Sequence, residues 1–69
     1  MNLSARNQFS GTVKEVKLGN IMAEVIVDIG GGHEVVAAIT RASVERLGLA
    51  PGSTVMVVIK ATEVLIATA

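Results

Sequence analysis

Along most of the chain apolar and polar positions alternate with the period of two that marks β-strands. Phe9 to Leu18 sets Val13, Val16 and Leu18 against Thr12, Lys14 and Lys17, which predicts a first strand. Gly19-Asn20 is a hairpin signal, and Ile21 to Ile29 reads as a second strand. Gly30-Gly31-Gly32-His33 ends that strand, and Glu34 to Ile39 reads as a third. From Thr40 to Gly48 the alternation breaks. Thr40 suits a helix N-cap, Val44 and Leu47 fall on one helical face, and Gly48 suits the position just past the helix end. Pro51-Gly52 is a turn, Thr54 to Lys60 a fourth strand and Glu63 to Ala67 a fifth. Five strands with one short helix between the third and fourth predict an all-β fold, a five-stranded barrel of the oligonucleotide/oligosaccharide-binding (OB) type.

The faces of these strands differ. In Ala23 to Ile29, the face carrying Val25, Val27 and Ile29 is the expected core, and the other face carries Glu24, Ile26 and Asp28. Glu34 to Ile39, Val55 to Ile59 and Val64 to Ala67 are apolar on both faces. A small closed barrel buries only one face of each strand. The second apolar face must then meet another subunit, since large exposed apolar patches are rare on soluble monomers. At roughly 25 cal/mol per Å², sealing such faces contributes several kcal/mol per subunit.

Composition sharpens this picture. The chain has 69 residues, one domain spanning 1–69, and a core of that size is marginal alone. Apolar residues make up 51%, yet Phe9 is the single aromatic, which again points to association as a source of stability. With no Cys and one His, His33, disulfides and thiolate or zinc centres are excluded. Six basic and six acidic residues cancel, against the strong positive field of a general nucleic-acid binder. No apolar run reaches signal-peptide or bilayer-spanning length, so the cytoplasm is the expected compartment and no membrane partner is expected.

Catalytic chemistry has little to draw on. A lone His in a glycine turn assembles no Ser-His-Asp set, and the carboxylates are scattered singly, so no enzyme is expected. The three glycines lead into a strand and not a helix, which argues for a hairpin connection and against a phosphate loop. A different set could hold a small oxyanion. Ser4-Ala5-Arg6-Asn7 opens the chain with one guanidinium. Thr40 and Ser43 stand at the predicted helix start, where unpaired N–H groups face outwards. Lys60 ends the fourth strand and is followed by the small Ala61 and Thr62. If they converge, these groups are all donors and suit an anion, not a metal cation. Read separately, Thr40 is a plain cap, Ser43 a helix-surface hydroxyl and Lys60 a strand-end charge.

At these residues the chain resembles the molbindins, small molybdate-binding proteins whose module also occurs in molybdate-responsive regulators. Ser4-Ala5-Arg6-Asn7 followed by Gly11 is similar to their SARN-x-x-x-G opening. Ile39-Thr40-Arg41-Ala42-Ser43 is similar to their I-T-x-x-S segment, Leu47-Gly48-Leu49 with Gly52 to their helix exit, and Lys60-Ala61-Thr62 to their closing K-[AS]-[ST] step. The resemblance runs from Leu3 to Ala67 with the motifs in order. It implies a TOBE-like molybdate-binding domain with no redox cofactor, in which hydrogen bonds hold the oxyanion at a subunit interface. That role falls on Ser4, Arg6, Thr40, Ser43, Lys60 and Ala61. It also implies a homohexamer, a trimer of dimers sharing N-terminal strands, that stores molybdate or tungstate.

A donor-only pocket favours a fully deprotonated dianion. Hydrogen phosphate brings a proton that needs an acceptor, and an unpaired group in a dry site costs roughly 1–3 kcal/mol. Molybdate and tungstate are near-identical in size and charge, so no discrimination between them is expected. Two other readings make different demands. A barrel binding single-stranded nucleic acid needs aromatic platforms and a basic groove, and this chain supplies neither. A purely structural oligomerisation domain would assemble in the same way without responding to molybdate.

Overall fold

The structure, a computed structural model, describes residues 2–69. Its elements are β1 (Asn7–Leu18), β2 (Met22–Gly30), β3 (His33–Thr40), α1 (Arg41–Leu47), β4 (Thr54–Ile59) and a 3-10 turn (Ala61–Glu63). The strands form one antiparallel sheet in the order β3-β2-β1-β4. The long β1 serves two partners. Its first half pairs with β4, from Asn7↔Ile59 to Thr12↔Thr54. Its second half pairs with β2, ending at Leu18↔Ala23.

The change of partner falls at a bulge between Val13 and Glu15, which bends the strand and coils the sheet. Two bonds pin that bend to the Pro51-Gly52 turn: the Val13 N–H donates to the Ser53 carbonyl (2.9 Å) and the Gly52 N–H to the Val13 carbonyl (2.8 Å). Gly11 lies where β1 runs closest to β2. A Cβ there would fall 2.6 Å from Val27 Cγ1 and 2.8 Å from the Asp28 carbonyl oxygen, so only glycine fits.

The concave face holds the core: Val13, Ala23, Val25 and Val27 are buried, closed at one end by Val44 of α1. Thr40 caps the helix through its side chain, and Gly48 ends it in the left-handed conformation at φ 64°. Leu47, expected beside Val44, is instead 61% exposed, because a seven-residue helix presses only its middle onto the sheet. The alternation of faces is otherwise as expected. Val36, Ala38, Met56 and Val58 lie exposed on the convex side, where Glu24 and Asp28 also project.

Four of the five expected strands are present. Residues 64–69 form no strand, and the sheet stays open between its edges β3 and β4. Lys60-Ala61-Thr62-Glu63 coils into a 3-10 turn, which carries the following segment away from both open edges. The chain then runs outward with Leu65 93% and Ile66 87% exposed. Between the open edges lies an apolar slot of about 220 Å³, lined by Ala37, Ile39, Leu47, Leu49, Val55 and Val57 among others.

Candidate functional site

The six residues singled out from the sequence fall into two groups. Arg6 and Lys60 each lie one residue beyond the terminal Asn7↔Ile59 pair, so the sheet itself brings the two cations side by side. Both are exposed, and neither takes part in an ion pair among the described residues. Ser4 precedes them at a bend, and Ala61 opens the 3-10 turn. The Gln8 amide donates to the Ala5 carbonyl (2.6 Å) and draws the Ser4–Arg6 segment back towards the strand end.

Thr40 and Ser43 form the second group. The Ser43 N–H donates to Thr40 Oγ1 (3.0 Å), and the Thr40 hydroxyl donates to Ser43 Oγ (2.7 Å). With the Thr40 proton spent on Ser43, the Ser43 hydroxyl proton is the one left to turn outward. The N–H groups expected to be free at the helix start are mostly engaged. Ser43 N–H serves the cap, and Arg41 N–H donates to the Ile21 carbonyl (2.8 Å). Hydroxyls, more than helix amides, are therefore what this group offers.

One chain does not bring the two groups together. β4 runs antiparallel to β1, whereas β3, two antiparallel steps away, runs parallel to it. Thr40 at the end of β3 and Lys60 at the end of β4 thus leave the sheet at opposite ends. Each end presents hydrogen-bond donors on an exposed surface. Within a single chain the two groups stay apart.

The sequence had signalled the donors but not what holds them. Gln8 reads as one more polar position on a strand face, and Arg41 as one more charge on a helix. Their hydrogen bonds span three and twenty-two residues and leave no periodic trace.

Among titratable groups, Lys14 stands out. The Glu34 carboxylate on β3 accepts a hydrogen bond from its ammonium and raises its pKa above the ordinary 10.5. The pair lies on the exposed surface, away from both donor groups.

Residues 3–66 match the TOBE domain, and the chain belongs to that family. Its resemblance to the molbindins holds over nearly the whole length. It is 46% identical over 66 residues to molybdenum-pterin-binding protein 1 of Clostridium pasteurianum, covering 96% of this chain and 97% of that one. A solved structure described as a molybdate binding protein from Sporomusa ovata is 44% identical, with a TM-score of 0.92, covering 99% of this chain and 100% of the other. The cytoplasmic molybdate-binding protein ModG, solved with molybdate bound, is also 44% identical. It matches at a TM-score of 0.85 over 88% of this chain and 43% of that longer one.

Proposed function

We propose that this protein binds molybdate, and tungstate equally, at interfaces between copies of itself, as a passive cytoplasmic store of the oxyanion. The observation that carries this reading is the splitting of a donor-rich set with no carboxylate in it, Ser4, Arg6, Lys60 and Ala61 at one end of the sheet and Thr40 and Ser43 at the other. Two copies set end against end would bring unlike halves around one anion. The named relatives support molybdate as that anion.

Hydrogen bonds to the four oxo groups need no cofactor and leave the metal's coordination unchanged, so no catalysis is assigned. The assembly is a homohexamer built as a trimer of dimers. Its formation is supported by the convex apolar residues Val36, Ala38, Met56 and Val58 and by the open slot beside the exposed 64–67 segment. Within the assembly that slot closes and the barrel gains its fifth strand. No helix among the described residues is long and apolar enough to cross a membrane, and neutral net charge with one aromatic gives single-stranded nucleic acid no purchase.

The test is thermal unfolding of the assembled protein with molybdate, tungstate, sulfate or phosphate. A rise in Tm with the first two and none with phosphate is expected, since a ligand that binds only the folded state stabilises it by mass action. A hexamer whose melting ignores molybdate would overturn the reading and leave a structural oligomerisation domain.

A further inference from the structure

We propose that Arg41 is a positioning residue for the Thr40–Ser43 hydroxyl pair, although it belongs to no donor set. The inference rests on the oxyanion role assigned to that pair. A hydroxyl is a useful anion donor only if its oxygen is held in place, because a hydrogen bond weakens steeply once distance and angle drift. Ser43 Oγ is set by Thr40, and Thr40 is the last residue of β3, paired with Met22. What then needs fixing is the junction between that strand end and the helix.

Arg41 ties this junction to the turn between β1 and β2 at two points and to its own helix at a third. Its backbone N–H donates to the Ile21 carbonyl (2.8 Å). Its guanidinium donates from one terminal nitrogen to the Gly19 carbonyl (3.4 Å) and from Nε to Glu45 Oε1 (3.0 Å). One side chain thus spans from the turn, across the junction, to the second turn of the helix. The guanidinium does this from separate nitrogens held in one rigid plane, where an ammonium offers a single point charge.

The ion pair has a second effect. Glu45 stands one helical turn beyond Arg41 and lines the same surface hollow as Thr40, so unpaired it would set a negative charge beside the place an anion would occupy. Arg41 neutralises it. The guanidinium, engaged by Glu45 and Gly19, holds the donors without joining them.

The two effects separate by experiment. Molybdate is titrated calorimetrically into the assembled protein, with its size checked by light scattering, at low and high ionic strength. Arg41→Ala should weaken binding about three- to tenfold at low salt, from one charge-assisted hydrogen bond and one exposed ion pair. Adding Glu45→Gln should recover the salt-dependent part of that loss and leave the rest. Arg41→Lys keeps a charge for Glu45 but loses the fork, so it should show the salt-independent loss alone, and it serves if Arg41→Ala does not assemble.

In a Ser43→Ala background, Arg41→Ala should cost only the salt-dependent part, since the group it positions is already gone. Equal losses at high salt in both backgrounds would mean that Arg41 merely stabilises the fold, and would overturn the proposal. So would native affinity in both Arg41 variants while Ser43→Ala weakens binding, in which case the oxyanion reading stands alone. Native affinity in Ser43→Ala would instead overturn the role of the hydroxyl pair itself.

Discussion

Removing Arg6 or Lys60 tests the site at its most strongly charged point. The two lie beside each other past the last pair of the β1–β4 ladder, and both are exposed. Even about 4 Å apart in water, two like charges repel by only about 1 kcal/mol, and salt reduces this further. Losing one cation therefore leaves the anion-free protein as stable as before or slightly more so. On the proposed reading each cation gives a bound dianion charge-assisted hydrogen bonds of about 1.5–3 kcal/mol. Arg6→Ala and Lys60→Ala should each weaken molybdate binding roughly 10- to 150-fold, at 1.4 kcal/mol per decade. Arg6→Lys should recover only part, since an ammonium lacks the fork that engages two oxygens at once. The double variant should lose less than the sum, because the remaining donors regroup around one anion. Calorimetric titration of the variants, with melting of each anion-free form, gives both halves of the comparison. Native affinity in Lys60→Ala, with assembly intact, would show that the anion lies elsewhere.

Three further outcomes follow from the fold. A charge at Val36, Ala38 or Val58, all outward on the convex face, should dissociate the assembly, and light scattering that still gives the native mass for all three would contradict the interface reading. Gly11→Ala forces a Cβ against the Asp28 backbone and should destabilise the protein by about 1–3 kcal/mol, read as a lowered denaturant midpoint. The Lys14–Glu34 pair raises the Lys14 pKa, so its contribution is full at neutral pH and is lost as pH rises through the raised value. The stability gap between native protein and Lys14→Met should stay level through neutrality and close only above the ordinary 10.5.

Local physics made most of this fold legible before any coordinates. β-branched alternation, Gly19-Asn20, the Thr40 cap, Gly48 and Pro51-Gly52 each act within a few residues. Four strands and the helix accordingly fall within two residues of their expected limits. The expected site residues were named from motifs, which preserve residue type and spacing but not proximity.

Three matters were decided only in three dimensions. The fifth strand failed to form because the two-sided apolar pattern of Val64 to Ala67 specifies a strand but not its neighbour. In this chain the 3-10 turn carries that segment away from the open edges. The outward faces of β3 and β4 could not be told from alternation when both faces are apolar; the β2 and β1 registers settled them. Most of all, the sequence lists Ser4, Arg6, Thr40, Ser43, Lys60 and Ala61 as one set, while sheet direction sends Thr40 and Lys60 to opposite ends. Residue type is a property of the chain, but proximity depends on strand order and direction, and here those put the two groups at opposite ends of the molecule.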